Sequence, residues 1–344
     1  MIEILHPDED AARIAELRSR DFTWVDGWDT ALAELRVLRE FDSAATVFAG
    51  AGAVSFDEHH LDAASRYVVY PWRRTVVRLP DADLFYRLRT TRNRYLITDD
   101  EQRRWESAPV AVAGLSVGGS VLYTCALTGA RTLRIADPDV LGPSNLNRLS
   151  GSVCDLGVAK STLAARRVLE LDPYVSLDVH PEGYTAENAD RFLGGAAVVL
   201  EEMDDLRRKI ELRVAARERR VPVVMVTDDG DGVIVDVERF DLDADYPLLH
   251  GRAEELSELS PEEFDDPSRR VELAGAIVGD DITARMRYSL GEVGRSIPSW
   301  PQLGTAATVA GAVGGMLARR IAVGDDLPSG RAYLRLGELI GVLQ

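Results

Sequence analysis

Cysteine is scarce in this chain of 344 residues: Cys125 and Cys154 are the two it has. Two thiols build neither a disulfide framework nor a four-thiolate zinc site. Excess positive charge is missing too. Forty Lys and Arg face 57 Asp and Glu, a formal charge of −17 at pH 7. That balance weighs against a sequence-independent grip on nucleic acid and against an anionic membrane surface. Long apolar runs are also absent. The nearest candidate, Leu303–Leu317, is shorter than the roughly 20 residues that cross hydrocarbon, and Arg319 and Arg320 close it. Its Gly304, Ala307, Gly311 and Gly315 instead predict a buried helix lying close against a neighbour. The first twenty residues show no basic stretch followed by an apolar one, so the expectation is a cytoplasmic protein with no signal peptide.

What the chain does have is apolar residues, 46 % of the total, enough for a folded core. At roughly 150 residues per domain the length suggests about two. Helical spacing over Asp10–Arg20 and Thr30–Arg39, then β-branched and aromatic residues over Arg66–Leu79 around Pro71, predict a small N-terminal α/β module spanning residues 1–90, of unknown role. From Ala108 onward short apolar runs alternate with helical patterns: strands at Pro109–Ala113, Thr132–Ala136, Val175–Val179, Ala196–Leu200 and Val221–Val226, helices between them. This alternation predicts an α/β fold with a Rossmann-like, doubly wound, mostly parallel sheet over residues 91–344. Asp241–Asp266 reads as an acidic, solvated insertion, and residues 302–320 as a C-terminal packing helix.

Gly114, Ser116, Gly118 and Gly119 sit where the first of these strands meets a helix. Glycine there lets backbone approach a phosphate, and the helix start offers unpaired N–H groups. Asp137 ends the next strand, where an acidic side chain accepts from ribose hydroxyls. NAD, S-adenosylmethionine and ATP all fit this much, although Ser116 stands where the dinucleotide fingerprint has its middle glycine. Three further features narrow the choice. A donor-rich run, Ser144-Asn145-Leu-Asn147-Arg148, follows the ribose strand. Lys160 opens a helix against its dipole, a hint of a nearby anion. Glu201-Glu202-Met-Asp204-Asp205 follows an apolar strand at the sheet edge where such folds bind ligands, and suits Mg²⁺ or, through Asp204, a helix N-cap.

The glycine loop, Asp137, the Ser144–Arg148 run, Lys160 and Asp204 together resemble the ThiF/MoeB/HesA adenylating enzymes, bacterial relatives of ubiquitin-activating enzymes. The resemblance covers about Arg92 to Phe240, with an echo after Pro301-Gln-Leu-Gly304. It implies ATP and Mg²⁺ as cofactors and adenylation of a carboxylate with release of pyrophosphate. It implies a homodimer in which Arg94 acts as an arginine finger in the partner's site. Asp137 would hold the ribose, Asn145, Asn147, Arg148 and Lys160 the phosphates, and Asp204 the Mg²⁺. The carboxylate belongs to a small molecule, a peptide or a ubiquitin-like tail. No cysteine follows Cys154, so the family's thioester and Cys-x-x-Cys zinc features are missing and the acyl group must pass to an external nucleophile. The segment Tyr70-Pro-Trp-Arg-Arg74 with this domain is similar to ThiF-like domains joined to nitroreductase-like ones, which implies an unassigned or specialised-metabolite role rather than thiamine or molybdopterin synthesis. Two rival readings stay open: an NAD-dependent oxidoreductase resting on the glycine loop and Asp137, and a degenerate nucleotide-binding scaffold.

Other candidates carry less. His59 and His60 are adjacent and ill-suited to share a metal, and His180 and His250 stand alone. Cys125 and Cys154 read as incidental. Trp72, Arg73 and Arg74 read as a strand-edge aromatic with solvated arginines, and Ser299–Gln302 as a segment closing over the substrate.

Overall fold

The computed structural model describes residues 1–44, 63–266 and 269–341; the His59–His60 pair lies outside them. The chain divides into two compact units, Met1–Arg103 with Leu169–Tyr174, and Arg104–Val168 with Val175–Gln344.

In the first unit, β1 (Glu3–Leu5), α1 (Ala11–Arg18), β2 (Thr23–Asp26), α2 (Trp28–Ala44), β3 (Ser65–Tyr70), β4 (Thr75–Pro80) and α3 (Ala82–Thr90) follow in order, and α4 (Asp99–Ser107) leads onward. The sheet order is β1-β3-β4-β2. The β3–β4 pair is antiparallel around the Pro71–Arg73 turn, as the β-branched pattern predicts. The edge strands β1 and β2 escape the sequence because three or four half-exposed residues carry no usable alternation; pairing alone defines them. Ile14 and Leu17 of α1 pack with Leu5, Val69 and Val76. The arginines of the basic turn are exposed, as the sequence suggests, and make ion pairs at the surface. Arg73 meets Glu170 at 2.6 Å, Trp72 Nε1 donates to the same carboxylate, and Arg74 meets Asp21 at 3.2 Å.

The second unit contains β5 (Pro109–Ala113), α5 (Gly118–Thr128), β6 (Thr132–Ala136), α6 (Lys160–Leu171), β7 (Ser176–His180), α7 (Ala189–Leu193), β8 (Val198–Glu201), α8 (Leu206–Glu218), β9 (Val223–Asp229) and β10 (Gly232–Glu238). Four short helices, one long helix and a strand follow: α9 (Pro261–Asp265), α10 (Arg270–Val278), α11 (Ala284–Gly291), α12 (Gly304–Ala322), β11 (Gly330–Leu334) and α13 (Leu336–Ile340). Seven strands run in the order β11-β10-β9-β8-β5-β6-β7, with β9 to β7 parallel and β10 and β11 antiparallel at one edge. The chain leaves β5 toward β6 and β7, then returns to β8 on the other side. The switch point therefore lies between the loops after β5 and β8, where ligands of such sheets bind.

One face of the sheet carries α5 and α12. Their closeness depends on small residues, as the sequence predicts: a Cβ at Gly315 would come within 2.7 Å of Thr124 Cγ2. The other face carries Phe192, Ile210 and Leu212 of α7 and α8. Here the structure corrects the expectation of a solvated insertion at 241–266. Leu248, Leu249 and Ala253 are fully buried in this same core, and Leu256 nearly so. The acidic residues between them hid an apolar set with helix-like spacing. Two further solitary groups are also structural. His180 stacks edge-on against Phe192, and His250 bonds Asp236 at 2.8 Å.

Candidate nucleotide site

The loop after β5 is shaped by its neighbours. Gly114 has φ +86°, and a Cβ there would stand 2.4 Å from the Glu202 carbonyl oxygen, so the loop crosses the end of β8 at backbone contact. Gly118 is pressed against Val112 and Glu202, whereas Gly119 has open space where a side chain would be. Bare backbone at the start of α5 thus faces a cavity of about 200 Å³ whose lining includes Ser116, Gly119, Tyr123, Lys160, Arg167 and Gly311. The Arg167 guanidinium lies 4.0 Å from the centre of the Tyr123 ring.

Asp137, buried at the end of β6, holds this loop in place. Its Oδ2 accepts from Leu115 N at 2.6 Å and its Oδ1 from Asp139 N at 2.8 Å. Burial raises its pKa, and the Leu115 N–H works in the opposite direction. A carboxylate has about four lone-pair positions, so two acceptor positions remain beyond those bonds. Lys160, 7 % exposed at the first turn of α6, bonds Asp139 Oδ2 at 2.7 Å, and its backbone N–H donates to the Asp139 carbonyl. The lysine that opposes the helix dipole therefore has a carboxylate beside it, from an exposed aspartate.

Ser116 gains a purpose that the sequence had not revealed. Its Oγ accepts from Arg148 Nε at 3.0 Å, while Arg148 Nη1 donates to the Ser144 carbonyl and Asn147 Oδ1. A glycine at this position would leave the guanidinium without that anchor. Asn145 Oδ1 accepts from Gly142 N, closing the turn, and Asn147 Nδ2 donates to the Gln302 carbonyl at 2.8 Å. Residues of the donor-rich run thus position Arg148 and one another, and Gln302 holds the run rather than standing apart from it. Arg94 lies in the first unit, its Nε 3.9 Å from Asp99 and its guanidinium 5.8 Å from the ring of exposed Tyr95.

The carboxylates after β8 take up different roles. Glu201, fully buried, bonds Lys209 at 3.0 Å and Arg213 at 2.5 Å, and Arg213 also reaches Glu238 at 2.8 Å. Burial pushes Glu201 up, but Lys209 and Arg213 outweigh it and hold it below its usual range. Glu202 is sealed beneath the glycine loop, accepts from Val226 N, and is driven well above the carboxylate range by burial. Asp205, not Asp204, caps α8, accepting from Arg208 N at 3.0 Å. Asp204 is left exposed beside Arg148. Among the described residues no group of three or more His, Cys, Asp or Glu is placed to hold a metal.

A residue missed in the sequence completes the cluster. Asp228, near the end of β9 and 3 % exposed, has both carboxylate oxygens enclosed without a hydrogen-bond partner. Burial raises it to about 7; Arg148 pulls it down and Asp204 pushes it up. Nothing in the local sequence distinguishes it from Asp229, which bonds the Thr283 hydroxyl at 2.8 Å. Because the folded-state value lies above the unfolded one, ionising Asp228 destabilises the fold as pH rises from about 4 through 7. In metal-free buffer Asp228→Asn is expected to be more stable than the wild type at pH 8, by on the order of 2 kcal/mol. That advantage shrinks as pH falls toward 4.5. Thermal unfolding at pH 8, 6 and 4.5 checks this; a gap independent of pH refutes it. This enclosed carboxylate, with Asp204 and oxygen donors alone, fits a hard divalent cation.

A model of the ThiF family matches residues 90–322. An uncharacterised protein of Mycobacterium tuberculosis is 41 % identical over 281 residues, covering 80 % of this chain and 38 % of that protein. The chain thus spans under two-fifths of the length of that curated relative. The E. coli tRNA N6-threonylcarbamoyladenosine dehydratase in complex with ATP superposes with a TM-score of 0.51 at 16 % identity, covering 70 % of this chain and 96 % of that one. E. coli MccB with AMPCPP and MccA gives a TM-score of 0.50 at 15 % identity, covering 73 % and 65 %. These two likenesses concern the fold.

Proposed function

Because the chain belongs to the ThiF family, we propose that it activates a carboxylate with ATP, forming an acyl-adenylate and releasing pyrophosphate. The observation that carries this reading is the convergence of four features on one end of the sheet. They are the open backbone at Gly119, Lys160 over the same cavity, Arg148 anchored on Ser116, and the Asp204–Asp228 pair. The ATP and AMPCPP carried by proteins of the same fold support it.

In the reaction, a substrate carboxylate oxygen attacks the α-phosphorus, the bond to the β-phosphate oxygen breaks, and pyrophosphate leaves with that electron pair. No proton moves, since the attacking carboxylate is already ionised. The work of the protein is therefore position and charge. Asp137 orients the ribose through its two remaining acceptor positions. Lys160 exchanges Asp139 for phosphate oxygens, a change that costs little because Asp139 is 64 % exposed and regains water. Arg148, held by Ser116, Ser144 and Asn147, presents its outer nitrogen to the phosphates. Asp204 would hold Mg²⁺, which would offset the phosphate charge. Within these 344 residues no cysteine follows Cys154, and the proposal has the acyl group pass to an amine, a thiol or a second enzyme.

The test is a binding titration of ATP–Mg²⁺ beside NAD⁺, NADH and S-adenosylmethionine, followed by a screen of carboxylates for pyrophosphate release. Selective ATP binding is expected, and Asp204→Ala abolishes Mg²⁺-dependent turnover in a folded chain. Binding of NADH alone would return the dehydrogenase reading, and ATP binding without any pyrophosphate release would favour the scaffold. The proposal includes a homodimer with Arg94 serving the partner's site. Mixing Arg94→Ala with Lys160→Ala subunits is then expected to restore part of the activity that each lacks alone. No recovery after proven subunit exchange counts against the finger.

A further inference from the structure

Asp228 is the one carboxylate among the described residues with both oxygens enclosed and no hydrogen-bond donor on either. Its neighbour in sequence shows the usual solution: Asp229, equally buried, takes the Thr283 backbone N–H and hydroxyl, both at 2.8 Å. Two charges act on Asp228, Arg148 by attraction and Asp204 by repulsion. Arg148 supplies field without a bond: its Nε and Nη1 donate to Ser116, Ser144 and Asn147, and no hydrogen bond joins it to Asp228. A buried carboxylate left in this condition is costly unless a cation or a proton satisfies it.

We propose that Asp228 joins Asp204 in holding the divalent cation that accompanies the nucleotide, so that the cation site draws one carboxylate from β9 and one from the loop after the adjacent strand β8. This rests on the adenylating reading above. Three arguments favour a metal ion over other occupants. The donors are all oxygen, and Mg²⁺ or Mn²⁺ takes one or two carboxylates and fills its remaining positions with water and phosphate. Both Asp228 oxygens are closed off from solvent, and a dehydrated ion needs less room beside them than a substrate ammonium, which brings its carbon skeleton with it. Finally, a triphosphate arriving beside two carboxylates and one guanidinium meets an excess of negative charge that a divalent ion between them reverses.

The experiment titrates Mn²⁺ into the full chain and reads the free ion by electron paramagnetic resonance, with and without the non-hydrolysable analogue AMPPCP. AMPPCP affinity in EDTA and the thermal midpoint are measured alongside. Asp228→Asn is expected to bind Mn²⁺ about tenfold or more weakly than the wild type in the presence of AMPPCP. Its AMPPCP affinity in EDTA is not expected to fall, and the chain is expected to be no less thermostable. Asp228→Ser, with the same expectation, serves if the amide variant fails to fold. Equal Mn²⁺ affinity in wild type and variant overturns the proposal while nucleotide binding keeps the adenylating reading intact. A wild type that binds AMPPCP but no Mn²⁺ overturns it as well, and one that binds neither overturns both.

Discussion

ATP–Mg²⁺ binds Lys160→Met about 10- to 100-fold more weakly than the wild type, the expected loss of one charge-assisted hydrogen bond to a phosphate oxygen. Once a carboxylate substrate is in hand, its pyrophosphate release falls further, by roughly 10²- to 10³-fold, because charge builds on the phosphates in the transition state. Stability barely moves. Lys160 is 7 % exposed but its partner Asp139 is 64 % exposed, so the thioether fills the space of the aliphatic stem while Asp139 is resolvated, a change expected within about 0.5 kcal/mol. Isothermal calorimetry and thermal unfolding on the same preparation separate the two effects. Unchanged ATP affinity with an unchanged midpoint would place the phosphates away from Lys160.

Arg213→Met acts in the opposite way, on the fold before the site. Arg213, Glu201 and Glu238 have no exposed side-chain surface, and one guanidinium serves both carboxylates. Glu201 also accepts from Met203 N, and Glu238 from Leu249 N, so the network joins the loop after β8 to the segment at 241–266. Removing the guanidinium leaves buried carboxylates with Lys209 as the remaining cation beside Glu201, at an expected cost of about 3–5 kcal/mol. For a unit of this size that is a fall in thermal midpoint of roughly 6–20 °C. The sign with pH follows from Glu201. In the wild type its folded-state value is lowered, so its contribution is complete at neutral pH and is lost as pH falls below the usual glutamate range. In the variant the cation that lowers it is gone, and protonation relieves the unpaired charge. The gap between variant and wild type therefore narrows from pH 7.5 to 5. A midpoint within about 2 °C of the wild type would show that the network carries little of the stability.

Much of the second unit was legible because parallel strands buried on both faces are short, continuous apolar runs. Pro109–Ala113 and Thr132–Ala136 coincide with β5 and β6 to the residue. Loops at their ends were legible through residue types with few other uses there: glycine at a strand-to-helix turn, an aspartate closing the next strand, a lysine at a helix start. Boundaries were poorer where the local pattern was thin, as in β9, which spans Val223–Asp229 rather than Val221–Val226. The segment at 241–266 misled because its charges outnumber the few leucines that enter the core.

Residue chemistry and spacing by themselves determined the doubly wound class, the glycine loop, and the candidacy of Asp137, Arg148, Lys160 and Asp204, since each of those signals is local. Tertiary structure decided how four neighbouring carboxylates divide their roles. Glu201 is committed to Arg213, itself shared with Glu238 from β10; Glu202 lies under Gly114; Asp205 caps α8; and Asp204 is left to the solvent. It also turned Ser116 from an apparent defect into the anchor of Arg148, 32 residues away. Asp228 is the clearest case. What marks it is the lack of a donor around a buried charge, and a missing partner is a property of packing that no stretch of sequence contains.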